Sequence, residues 1–135
     1  MPAVLVAAAC SALATGVFVY VADRVSAPPA LIAPFVLGSV GPLFGAAGQW
    51  LPSFVHPFAF ALLTAAARPR DASPAYVACL AWWAVNVIFE SGQHPKFGFL
   101  RGTFDVGDLL AATLGALAAA AVIRLVRRVE EYHVH

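Results

Sequence analysis

From Ala3 to Val21 the chain runs for 19 residues without a charge, close to the roughly 20 apolar residues that span a bilayer as a helix. No other feature restricts the fold as strongly, because a segment of this kind in a chain this short leaves little room for a water-facing surface. The composition agrees: of 135 residues 61% are hydrophobic and 11% charged, and the mean hydropathy is +0.83. A soluble domain carries about 25% charged residues, so this is an integral membrane protein of one domain, residues 1–135. A soluble enzyme and a disordered tail are excluded. A net charge of +1 supplies no field for nucleic acid.

The first run ends at Asp23, Arg24 and the Pro28-Pro29 pair. It has no basic leader, and Val25-Ser26-Ala27 is followed by Pro28, so it reads as a retained helix rather than a signal peptide. Pro29–Phe44 is a second apolar stretch broken by Gly38, Gly41 and Pro42, able to span or to re-enter the bilayer against its neighbours. Gly45–Leu51 reads as a turn carrying Gln49 and the interfacial anchor Trp50. A third helix is expected from Pro52, a favourable first-turn residue, to Ala67. The Arg68-Pro69-Arg70-Asp71 loop follows. Ser73-Pro74 opens a fourth helix, which runs past Trp82 and Trp83 to Glu90. After the polar Ser91–Thr103 connection, a fifth helix runs from Asp105 to Val126, with Arg127, Arg128 and a polar tail ending at His133-Val134-His135 behind it.

The expected fold is therefore an all-α, polytopic membrane bundle of five transmembrane helices, or of four with Pro29–Leu51 re-entrant. With five helices and the N-terminus outside, Arg24, Arg68, Arg70, Arg124, Arg127 and Arg128 all fall on the cytoplasmic side, leaving Lys96 and Arg101 outside. Small residues four apart (Ala8, Ala12, Gly16; Gly41, Gly45; Ala111, Gly115, Ala119) allow close helix approach in lipid, either within the bundle or against another subunit. Cys10 and Cys79 sit in apolar runs and read as free thiols behaving as small hydrophobes.

Function is carried by the polar residues within or beside these spans. Asn86, Glu90, Gln93 and His94 share one stripe if the fourth helix persists that far. A carboxylate inside a span is costly unless it faces protein or water. Asp105 and Asp108 open the next helix, where its dipole favours them. With His56 and Arg101 they form a candidate polar cluster on the extracytoplasmic side. Three readings compete: Arg101 and Lys96 pairing with the carboxylates while an aspartate caps the fifth helix; a site for an amphiphile head group; or a metal or acid–base site built from His56, Glu90, His94, Asp105 and Asp108. No catalytic residue is singled out, no metal site is assigned, and no cofactor is expected. Membrane lipids, a larger membrane complex or a second copy of the chain are the expected partners.

The motifs Ser53-Phe54-Val55-His56, Glu90-Ser91-Gly92-Gln93 and Gly102-Thr103-Phe104-Asp105-Val106-Gly107-Asp108, followed by Gly115, occur in an order that resembles the VanZ-like family of small integral membrane proteins over about residues 54–122. Two positions depart from the family pattern. Arg101 stands four residues before Asp105 rather than three, and Ala112 occupies a place where the family usually has Asn. The resemblance implies a bacterial cytoplasmic-membrane protein with an envelope role near lipid or cell-wall precursors; the founding member is associated with low-level teicoplanin resistance. On that footing the expected function is a small envelope protein whose outer-side pocket binds an amphiphile. An accessory subunit of a membrane complex, or a metal-assisted lipid or envelope-precursor enzyme, are the alternatives.

Overall fold

The computed structural model describes residues 2–23, 44–67, 72–100 and 103–133. These contain four helices: α1 (Pro2–Asp23), α2 (Gly45–Ala67), α3 (Ala72–Gly92) and α4 (Val106–His133). Three stretches, Pro2–Tyr20, Ala47–Ala67 and Val106–Tyr132, are long and apolar enough to cross a membrane, with mean hydropathies of 2.1, 1.3 and 2.2. The protein is an all-helical membrane protein. Apart from Phe44, the expected apolar stretch Pro29–Phe44 lies outside the described residues.

Two boundaries differ from expectation. α2 begins at Gly45, not Pro52, so Trp50 is helical and both Pro52 and Pro57 lie inside the helix. Each proline removes one backbone donor, a loss that membrane helices tolerate when neighbours surround them; Pro57 is fully buried. α4 continues through all three arginines to His133, because nothing between Val126 and His133 breaks a helix and its arginines and glutamates are good helix formers.

α2 is the central element and lies against each of the other three helices. Gly16 of α1 meets the Val55 side chain, while a Cβ on Gly115 of α4 would collide with the backbone carbonyl of Phe54. Both small-residue stripes that the structure describes in full therefore close onto α2 within the chain. Ala111 and Ala119 are buried beside Gly115. Shared hydroxyls tie α3 in. Thr64 and Thr113 each donate to the carbonyl four residues back, 2.7 and 2.8 Å away, and each accepts a tryptophan indole N–H at 3.0 Å, from Trp82 and Trp83 respectively. Adjacent tryptophans point about 100° apart on a helix, so one reaches α2 and the other α4. Large apolar side chains remain exposed on the outer faces of the helices, among them Val4, Phe18, Leu80, Ile88, Leu110, Leu114, Leu117 and Leu125, as a lipid-facing surface requires.

Helix directions follow from these contacts. Gly16 and Phe18, near the end of α1, lie beside Val55 and Phe44, whereas Leu5 and Ala9 join a buried cluster with Ala59, Leu62, Ala65 and Ile123 further along α2 and α4. α1 is thus antiparallel to α2. α4 runs parallel to α2, with Gly107 under Trp50 and Ile123 in the distal cluster. α3 opposes both, from Trp82 beside Thr64 to Glu90 beside Asp105. The start of α1 and the end of α4 therefore share one end of the bundle, and the chain leaves α1 and enters α2 at the other. Among the described residues four helices are present, three of them long and apolar enough to cross a membrane; the second of the five expected helices falls, apart from Phe44, on residues outside that set.

Candidate functional site

The site is built where α3 ends and α4 begins. Asp105 caps α4: its Oδ1 accepts the Gly107 N–H at 2.7 Å, as N-cap residues do for the second or third helical donor. In a capping box the N3 side chain returns to the N-cap N–H. Here N3 is Asp108, yet the Asp105 N–H donates instead to Glu90 Oε1 at 2.6 Å. Glu90, only 7% exposed, does from α3 what a residue of α4 would ordinarily do. Asp108 is thereby released to face α2, where its Oδ1 accepts the Ser53 hydroxyl at 2.6 Å. Trp50 closes the corner, its indole donating to Asp105 Oδ2 at 3.3 Å and lying so close over Gly107 that a Cβ there would be 2.6 Å from Trp50 Cε2.

Beneath this corner lies a cavity of about 570 Å³. All four helices contribute. Glu90, Gln93, Asn86, His56, Ser53 and Asp108 give it a polar side, and Leu13, Val17, Val55 and Phe89 an apolar one. Val17 of α1 and Phe89 of α3 are themselves more than half exposed, so the apolar side continues to the lipid-facing surface. The second oxygen of Glu90 receives only a long contact from Gln93 Nε2, 3.4 Å, and the carboxylates of Asp108 and Asp105 repel it electrostatically. Asn86 donates to the Trp82 carbonyl at 2.8 Å.

Of the residues singled out from the sequence, His56, Asn86, Glu90, Gln93 and Asp108 line this cavity. His56 does so from the middle of α2, not from its first turn. His94 does not line it. α3 stops at Gly92, so the stripe breaks; the His94 ring turns away to meet Phe104 edge-on at 4.8 Å, and its Nδ1 accepts the Lys96 N–H at 3.2 Å. Asp105 stands behind the cavity as a cap. Arg101 lies outside the described residues. Among the described residues no three His, Cys, Asp or Glu side chains converge as a metal site would require, so the five-residue metal set does not assemble.

The sequence reading passed over the α1 wall and the hydroxyls of Ser53 and Thr103. Ser53 had a signal, being three residues before His56 and so on the same helical face. The α1 wall had none, since Leu13 and Val17 differ in no way from other residues of an apolar span. No protein-family model, curated protein or solved structure matches the chain.

Proposed function

We propose that the chain is a small cell-envelope protein of four crossings, both termini cytoplasmic, whose outward-facing cavity holds the head group of an amphiphile entering sideways between α1 and α3. The observation that carries this reading is the cavity itself, about 570 Å³ with carboxylates on one side and an apolar wall that continues to exposed Val17 and Phe89. Its volume lies in the range of small-molecule sites, and its two-sided lining matches a molecule with a polar head and an apolar tail. The orientation rests on cationic residues. Among the described residues Arg124, Arg127 and Arg128 belong to the end that holds the start of α1, against Lys96 at the cavity end, and the richer end faces the cytoplasm. The resemblance to VanZ-like proteins in the Glu90-to-Asp108 region is in keeping with an envelope role.

The head group is one that donates hydrogen bonds, because the lining offers carboxylate oxygens. Native mass spectrometry of the purified chain with dodecylamine, dodecanol and dodecanoate tests this. The amine is retained best, and Glu90→Gln or Asp108→Asn weakens it by roughly tenfold, the ~1.4 kcal/mol expected of one charge-assisted hydrogen bond. Retention of none of the three, or preference for the carboxylate, contradicts the reading.

A further inference from the structure

The opposite end of the bundle carries a feature that the cavity does not explain. Ala112, Ala116, Ala119 and Ile123 form the buried face of α4, and Arg127 follows Ile123 by one helical turn on that same face. Its Nε is buried and has no hydrogen-bond partner among the described residues. A buried donor left unpaired costs about 1–3 kcal/mol, more when the group is charged, so an acceptor from outside the chain is favoured there. Arg124, three residues before Arg127, is its neighbour on the helix surface, and Arg128 neighbours Arg124 at four residues' spacing; both are exposed. Glu130 and Glu131 lie a turn further toward the terminus, so the arginines are the charges nearer the membrane.

Depth identifies the acceptor. At ~1.5 Å rise per residue, Arg127 lies about 28 Å along α4 from Asp108, nearly the ~30 Å thickness of a bilayer's hydrocarbon core. With Asp108 near one interface, Arg127 reaches the other, at the level of lipid phosphates. Guanidinium forks suit phosphate oxygens in a way that ammonium groups do not.

We propose that Arg124, Arg127 and Arg128 form a binding site for the phosphate of an anionic glycerophospholipid in the leaflet opposite the cavity, with Arg127 Nε as the buried donor. The site depends on the chain spanning the bilayer and is independent of what the cavity holds. The test is native mass spectrometry of the full chain in mild detergent, titrated with dioleoylphosphatidylglycerol, with dioleoylphosphatidylcholine of identical tails, and separately with inorganic phosphate. Phosphatidylglycerol is retained at least fivefold better than phosphatidylcholine. Arg127→Gln removes most of that preference, and Arg127→Lys, which keeps the charge without the fork, restores part of it. Should Arg127→Gln fail to fold, the exposed pair Arg124→Gln/Arg128→Gln reads the same preference and reduces it. Equal retention of the two lipids overturns the proposal, as does a preference that survives Arg127→Gln. Inorganic phosphate binding without any lipid preference overturns the lipid source and assigns a free anion instead.

Discussion

The two ends of this bundle handle buried charge in opposite ways. At the cavity end, Glu90 accepts from the Asp105 backbone, Asp105 from Gly107 and Trp50, and Asp108 from Ser53, so three carboxylates are held by donors drawn from α2, α4 and the connection into α4. At the other end the Nε of Arg127 is buried with no acceptor among the described residues. One end is stiffened by the chain's own hydrogen bonds around an open space; the other holds a buried donor with no acceptor among the described residues. Chain economy accounts for the contrast. Helix α4 needs acceptors for its first N–H groups, and that need draws Asp105 and Glu90 to one corner, whereas the carbonyls of its last turn favour cations.

The largest change expected is the collapse of the first end. Gly115→Leu has no room, since even a Cβ would strike the Phe54 carbonyl; α4 must move off α2, taking Asp108 from Ser53 and Asp105 from Trp50. Overpacking of this kind costs about 1–3 kcal/mol and occasionally more, and a backbone obstacle places it at the upper limit. Thermal unfolding in detergent reads the loss. An unchanged melting temperature would mean that the two helices are not in close contact.

Next comes a direct contrast of the two charges. Glu90→Ala leaves the Asp105 N–H without its acceptor and should destabilise the protein by about 1–3 kcal/mol. Arg127→Gln, assayed without anionic lipid, removes a buried Nε that has no acceptor among the described residues and should leave stability unchanged or slightly higher. Equal destabilisation by both would erase the distinction between the ends.

Much of the first end was legible in the sequence, and for a physical reason. A carboxylate inside an apolar span must find protein or water, so Glu90, and the aspartates that open the next helix, were bound to be near one another. Gly115 likewise announced a close approach. Distance along the chain concealed the rest. Nothing in Leu13 or Val17 reveals that α1 completes the cavity, because packing partners in lipid are not encoded by polarity. Pro52 imitated a helix start, although α2 already begins at Gly45 and Trp50, two residues before Pro52, lies over Gly107. His94 lies four residues past Glu90 and fits the stripe on paper, but the helix stops at Gly92 and the residue turns to Phe104.

A smaller effect sharpens the account of the cap. Asp105→Ala removes the acceptor for Gly107 and should cost about 0.5–2 kcal/mol, with Asp105→Asn close to neutral. Smallest is Trp82→Phe, which keeps the ring on Phe60 but deletes the hydrogen bond to Thr64; interhelical bonds of this type in membranes average about 0.6 kcal/mol. Equilibrium unfolding in mixed micelles resolves both, and a loss for Trp82→Phe above that for Asp105→Ala would place the principal tie of α3 at the wrong end.

The arrangement of ends is tested most directly by labelling single cysteines in intact cells with a membrane-impermeant maleimide. In a Cys10→Ala/Cys79→Ala background, cysteine replaces Pro2, Thr103 or Tyr132, one at each terminus and one at the cavity end. The account predicts labelling of Thr103→Cys from outside, and of Pro2→Cys and Tyr132→Cys only after permeabilisation. Labelling of Pro2→Cys together with Thr103→Cys in intact cells would put the start of α1 beside the cavity and contradict the antiparallel pairing of α1 with α2 on which the site depends.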